Sequence, residues 1–309
     1  MTTRSDAAAR PGRPLKVGLN LPTVDGAMAG RSPRWADLLA LARRAEACGF
    51  DSLWVPDHLL VSWREQTRGV WEGWSLLAAL AATTERVELG PLVSPVAFRN
   101  PTLLAKMADT VDEISGGRLV LGLGAGWDAP EYTAFGYPSD HRVDRFEEAL
   151  RVVVPLLRTG RVDVEGRFYQ ARDCELRPRG PRPTGPPILV GAKGPRMLRL
   201  AATYADHWNV QGPLRQPADA APLRAAGDAA CAAVGRDPST LGRSASIVVD
   251  LSGTHGAGGR PEQIAGALRA YAREGLSHVQ VWLSPCTPAG VESFAATLEL
   301  LDRTSEDGG

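Results

Sequence analysis

GPLVSPVAFRNPTLLAKMADTVDEISGGRLVLGLGAGWDAPEYTAFGY, running from Gly90 to Tyr137, reads as strand, loop, helix, strand and glycine-rich turn. Val87 to Pro95 is a short apolar, β-branched run that stops at Pro95. Asn100-Pro101 starts a helix: the asparagine can accept from a first-turn amide, and proline lacks only an N–H that has no partner there. Leu103, Leu104, Met107, Val111 and Ile114 recur at three- and four-residue steps, while Lys106, Asp109, Asp112 and Glu113 take the other face. Ser115-Gly116-Gly117 stops the helix, and Arg118 to Leu123 is almost wholly apolar, as a parallel strand covered on both faces is. Two parallel strands joined by a helix put their C-terminal ends on one side, where loops can build a site.

The same alternation extends outward in both directions. Strands are predicted at Leu15–Leu21, Ser52–Val55, Ile188–Val190, His207–Val210, Ser246–Leu251 and His278–Leu283. Helices are predicted from Ser32-Pro33 to Cys48 and over Trp74–Thr84, Val143–Leu157, Pro195–Tyr204, Ala218–Val234, Pro261–Glu274 and Gly290–Leu301. Pro155 should bend its helix or end it early. The tryptophan-rich stretch of Trp63, Trp71 and Trp74 is expected to be a loop entering a helix. Residues 160–187 read as a loop or hairpin insertion, with Val162–Tyr169 its one strand-like piece. About eight strand–helix units make a (β/α)8 TIM barrel, class α/β, the expected fold. A doubly wound open sheet is the rival, disfavoured by the number of units and the lack of a composition break. The expected organisation is a disordered tail at residues 1–14, one barrel over 15–302 and a C-terminal tail at 303–309.

The chain has 309 residues, a length that suits one barrel, and its 35 basic residues balance 35 acidic ones. Nothing electrostatic therefore points to nucleic acid or an anionic membrane. Cys48, Cys174, Cys231 and Cys286 are far apart and show no metal-ligand spacing. Neither structural zinc nor a disulfide framework is expected, and a reducing cytoplasm is the natural compartment. Residues 1–14 lack an apolar signal core, and no run is apolar enough to span a bilayer.

Three places can carry chemistry. Gly122-Leu123-Gly124-Ala125-Gly126 ends a strand, and its amides can wrap a phosphate. A plain tight turn explains the glycines equally well, whereas a dinucleotide fingerprint needs a different third-glycine offset and a helix directly behind. Gly191-Ala192-Lys193-Gly194-Pro195 repeats the logic with a lysine and a helix start, and favours a phosphate over an idle surface lysine. Asp57-His58 follows a strand end, where histidine can exchange a proton and the carboxylate can orient it; a structural histidine is the bland alternative. Asn20, Trp127 and Trp208 stand near strand ends as candidate substrate-lining residues, and His207 is a further candidate. Trp127 and the tryptophan loop can stack on a flat ring or serve as core or subunit interface. There is no nucleophile elbow, Walker loop or metal-ligand cluster.

DSLWVPDHL (Asp51–Leu59), LVSPVAFRNP (Leu92–Pro101), ISGGRLVLGLGAGW (Ile114–Trp127), EYTAFGYP (Glu131–Pro138), PPILVGAKGP (Pro186–Pro195) and ADHWN (Ala205–Asn209) follow one another along most of the chain. Together they resemble the luciferase-like flavin-dependent monooxygenase superfamily, in the branch similar to coenzyme F420-dependent oxidoreductases. The resemblance implies a barrel with a flavin-type ring at its C-terminal mouth, and a homodimer. It further implies a cis peptide bulge behind the ring within Pro91-Leu92-Val93-Ser94, at Pro91-Leu92 or Leu92-Val93. Cofactor-phosphate contacts map onto Ala125 and Gly126 beside Gly124, onto Lys193 and Gly194, and onto Arg196 and Met197. Asp57 matches a cofactor contact, and His58 matches the proton-donating histidine of sugar-phosphate dehydrogenase relatives. Those relatives have a glutamate where this chain has Trp127, which argues against a sugar-phosphate substrate and leaves a second acid/base group unassigned.

The expected function is an F420-dependent oxidoreductase that passes a hydride between the deazaflavin and a small organic substrate, with His58 moving the proton. A reduced-FMN-dependent monooxygenase uses the same ring-and-phosphate pocket and is the alternative cofactor reading. A non-catalytic flavin-binding protein is the alternative from a different class, and no metal is expected.

Overall fold

The computed structural model describes residues 12–63, 66–254 and 256–303. Residues 1–11 and 304–309 of the two expected tails, and His255, lie outside the described residues. In chain order the elements are β1 (Lys16–Asn20), α1 (Trp35–Cys48), β2 (Ser52–Val55), β3 (Leu60–Trp63), β4 (Gln66–Gly69), α2 (Gly73–Thr83), β5 (Glu88–Pro91), β6 (Ser94–Pro95), α3 (Pro101–Ser115) and β7 (Leu121–Gly124). There follow α4 (Ala129–Phe135), α5 (Arg142–Thr159), β8 (Arg161–Glu165), β9 (Gln170–Glu175), β10 (Ile188–Ala192), α6 (Pro195–Tyr204), β11 (His207–Leu214), α7 (Ala220–Ala233), β12 (Gly242–Asp250), α8 (Pro261–Arg273), β13 (His278–Ser284) and α9 (Pro288–Asp302).

One parallel sheet runs β5-β2-β1-β13-β12-β11-β10-β7-β6. Its two ends, β5 and β6, are halves of a single strand interrupted at Leu92-Val93, so the sheet returns on itself. Leu89 completes the circle, donating to Arg118 O at 3.0 Å and accepting from Val120 N at 2.8 Å. The fold is thus a (β/α)8 barrel, and the open-sheet alternative is excluded. The Leu92-Val93 peptide is cis, the second of the two bonds the resemblance pointed to.

Side chains alternate across each strand. Val17, Leu19, Leu53, Val55, Ala245, Ile247, Val279 and Val281 belong to the buried core between wall and helices. The alternate positions, among them Asn20, Trp54, Ser246 and Gln280, therefore face the barrel axis. Trp54 fills the floor: a Cβ on Gly18 would lie 2.6 Å from its Nε1, and one on Gly90 2.5 Å from its ring. Trp54 Nε1 donates to Ser52 Oγ at 2.8 Å, and His278 Nε2 lies 2.8 Å from the same hydroxyl. With the bottom plugged, the barrel interior opens toward its C-terminal mouth, where the cavity lies.

The 160–187 insertion holds a hairpin, β8 against β9, one of the two forms expected of it. Three expectations change. The tryptophan loop is partly an antiparallel hairpin, β3 against β4. α5 does not end at Pro155 but continues to Thr159 and stops at Gly160, whose φ is +83°. Pro155 forfeits one amide bond close to the helix end, while buried Val152, Val153, Leu156 and Leu157 hold both flanks on the core. Arg13 belongs to the barrel rather than a tail: its buried guanidinium binds Asp51 at 2.7 Å, Asp302 at 2.6 and 2.8 Å and Gly49 O at 3.0 Å.

Candidate active site

The mouth holds a cavity of ≈ 630 Å³, within the ~300–1,000 Å³ usual for small-molecule sites. Both glycine turns line it, Gly124, Ala125 and Gly126 on one side and Gly191, Lys193 and Met197 on the other. They therefore share one end of the barrel. Gly126 combines a φ of +76° with contact against Tyr132, whose hydroxyl donates to Ala125 O at 3.2 Å. Gly194 has a φ of +82° with open space around it, so its requirement is torsional. As N-cap of α6 it makes no side-chain cap, which leaves the first amides of that helix to other acceptors.

Val93 projects between these turns. A Cβ on Gly124 would come within 2.6 Å of Val93 Cγ2, and one on Gly191 within 3.1 Å. Leu92, Val93 and Pro95 thus form an apolar shelf in the cavity. Pro91 and Ser94 do not line it. Ser94 is buried and accepts from Trp74 Nε1 at 2.9 Å, which fixes α2 behind the shelf.

His58 lines the cavity, and its Nδ1 lies 3.0 Å from Glu131 Oε2. Glu131, in the first turn of α4, is 1% exposed. Its other oxygen accepts from Leu59 N, and from Leu60 N at 3.1 Å. Asp128 grips the same segment through Ser62 N at 2.9 Å. An ionised carboxylate only accepts, so Nδ1 of His58 carries the proton and Nε2 is left for a ligand. Trp127 packs edge-on against the imidazole at 5.6 Å and is 46% exposed at the mouth. The Tyr132 phenol, pushed above its ordinary value of 10 by burial, stays protonated.

Several expected site residues point elsewhere. Asp57 is buried outside the cavity wall, its oxygens held by Arg99 at 2.7 and 3.0 Å. Arg99 also reaches Glu72 at 2.5 Å, and Glu72 caps α2. Burial works to raise the Glu72 pKa, but its Ser75 and Trp74 donors and the Arg99 charge outweigh it and lower the net value. Asp57 is therefore an anchor for the loop that carries His58, because a buried carboxylate needs a paired cation. Trp208 lies outside the barrel wall, donating to Ala192 O at 3.0 Å and pressing on Gly227 of α7. Its neighbour Asn209 has the inward parity and lines the cavity instead. His207 does not line it. Arg196 leans on Asp144 and Glu147 at 2.6 and 2.7 Å, away from the cavity. Asn20 faces the axis, buried, with neither amide atom hydrogen-bonded.

Sequence reasoning passed over Glu131, Arg142 and Asn209. The available signal for Glu131 was its place in the first turn after Asp128-Ala129-Pro130, next to a buried tyrosine; for Asn209 it was strand parity. Arg142 begins α5 after a left-handed His141, and nothing local marks it as lining the mouth.

A model of the luciferase-like monooxygenase family matches residues 15–257. The chain belongs to this family. This luciferase-like chain is 34% identical over 173 residues to a 5,10-methylenetetrahydromethanopterin reductase of Archaeoglobus fulgidus, covering 56% of this chain and 48% of that one. It is 37% identical over 142 residues to the pyrimidine monooxygenase RutA of Methylorubrum extorquens, covering 44% and 38%. The matches span about half the length of these curated relatives or less. An F420-dependent secondary alcohol dehydrogenase, solved with an F420–acetone adduct, shares the fold at a TM-score of 0.80 and 20% identity, covering 94% of this chain and 99% of that one. Among the described residues, no helix of this luciferase-like protein is long and apolar enough to cross a membrane.

The luciferase-like site fits a flavin-type group on its own evidence. A planar ring needs an apolar shelf, and Val93 lies where Gly124 and Gly191 leave no room for a Cβ. A phosphate needs donors, and Arg142, Lys193 and the first amides of α6 stand at that end. Asn20, expected to line the substrate space, is buried on the axis outside the cavity lining, with both amide groups unengaged.

Proposed function

We propose that the chain is an F420-dependent oxidoreductase acting on a small organic substrate. The observation that carries this reading is the His58–Glu131 pair on the wall of the cavity. When bound, the deazaflavin supplies hydride exchange at its ring. Each hydride moved to or from an alcohol or carbonyl carbon needs one proton moved at the oxygen. His58 is the residue built for that: Glu131 fixes its tautomer, and Nε2 remains to take or give the proton. Gly124, Ala125, Gly126, Lys193, Gly194 and Arg142 would hold the phosphate end, with Leu92 and Val93 behind the ring. The apolar wall keeps water away and orients the substrate. The F420-dependent relatives support the same reading.

Titrating the apo protein with F420 and with FMN, read by tryptophan fluorescence, tests the cofactor; Trp127 and Trp282 line the cavity as reporters. F420 should bind more tightly, and preferential FMN binding would overturn the assignment in favour of the monooxygenase reading, which the match to RutA supports. His58→Ala should retain F420 binding and lose turnover by ~10²–10⁴-fold, the usual share of acid–base catalysis. Unchanged function in that variant would favour a non-catalytic binding protein. The homodimer is part of the same proposal: Leu103 and Ile114 leave an apolar surface exposed on α3, and a monomer in sedimentation velocity would remove it.

A further inference from the structure

The charges around the cavity are segregated. Its lysine and arginine residues, Arg142 and Lys193, both stand beside the glycine turns, and among the described residues no carboxylate pairs with either. The other side is walled by Val24, Val61 and Val70 from the β1–α1 loop and the β3–β4 hairpin, and by Pro213 and Trp282. Polar groups within reach there are neutral: Ser246 and Asn209, with His58 between the two halves. Behind His58 lies the buried Glu131 carboxylate, 3.0 Å from Nδ1.

Resting on the cofactor reading above, we propose that the substrate is an uncharged molecule, mostly hydrocarbon in surface, with a hydroxyl or carbonyl at the reacting carbon. A cofactor whose phosphate takes Arg142 and Lys193 leaves no lysine or arginine of the described cavity wall for the substrate. An anion on the hairpin side would be stripped of water against valine and tryptophan, and would feel the negative charge of Glu131 through the imidazole. Both effects reject phosphorylated and carboxylated substrates. A hydroxyl needs only one hydrogen bond there, donated to His58 Nε2, and a carbonyl left without a donor forfeits far less than a desolvated charge does.

The test compares two ligands of one shape, 4-phenylbutan-2-one and 3-phenylpropanoate, by calorimetric titration of the protein saturated with F420. The ketone should bind at least ~10-fold more tightly, since a desolvated charge without a partner costs more than one lost hydrogen bond. On the apo protein the carboxylate should bind at the two cations and be expelled by F420. Val61→Arg, on the half-exposed hairpin, should recover carboxylate binding to the loaded protein without loss of F420 affinity. Equal or tighter carboxylate binding, no binding of either ligand, or no gain in the Val61→Arg variant overturns the inference while F420 binding stands. Failure of F420 to bind at all appears in its own titration and removes the cofactor reading together with this one.

Discussion

Glu131 serves three donors, the Nδ1–H of His58 and the amides of Leu59 and Leu60, from a site closed to solvent. Glutamine in its place keeps the volume but brings an N–H toward groups that already donate. Glu131→Gln should leave F420 affinity within ~3-fold and cut turnover by ~10–100-fold through loss of His58 alignment, less than removal of the imidazole itself. Rescue by Glu131→Asp with a lengthened loop is not expected; equal turnover in Glu131→Gln and the parent would refute the positioning role. His278 gives the pH dependence. Its pKa is lowered well below the ordinary 6.5, first by desolvation and then by the charges of Lys16 and His207. The unfolded chain therefore binds this proton more readily, so the stability His278 contributes is whole above pH 6.5 and is lost as pH falls from there toward the folded pKa. His278→Gln, whose amide extends about as far as Nε2 and does not titrate, should flatten the fall in Tm between about pH 6.5 and pH 5.

At the scale of elements, β7 and the strand it faces show why small residues are placed where they are. A Cβ at Gly122 would collide with the backbone oxygen of Pro91, whereas at Gly124 it would meet only the Val93 side chain, at 2.6 Å. Side chains yield more easily than backbone. Gly124→Ala should cost ~1–3 kcal/mol as an overpacked site, and Gly122→Ala more, because β5 itself must move. Thermal unfolding of the two variants checks the order, and a less stable Gly124→Ala would reverse the argument. The β3–β4 hairpin is fastened to α4 by the Asp128 and Glu131 carboxylates, so the element that walls the hydrocarbon side also sets the histidine.

Across the whole molecule, Arg13 ties the entry of β1 to the turn before β2 and to the end of α9, closing the bottom of the barrel from both termini of the fold. Its guanidinium is buried, while Asp302 is 30% exposed. Arg13→Ala should destabilise by ~3 kcal/mol, near the low end for breaking a buried pair, as read by urea unfolding. About eight strand–helix units and the two glycine turns were legible in the sequence because each depends on period, caps and torsions within a few residues. The break in the third strand came from the family resemblance alone, since Val87–Pro95 reads as one run. Inside and outside were not. In HWNV, both faces of the strand are covered, so hydropathy does not label them, and Trp208 lies outside while Asn209 faces the site. His58 and Glu131 are 73 residues apart, and Asp57 and Arg99 are 42 apart. What the chain order determined was the barrel and the end at which it opens. Only the closed sheet decided which carboxylate orients the histidine and which is spent on an arginine, because that choice depends on which side chains the barrel brings within hydrogen-bonding distance.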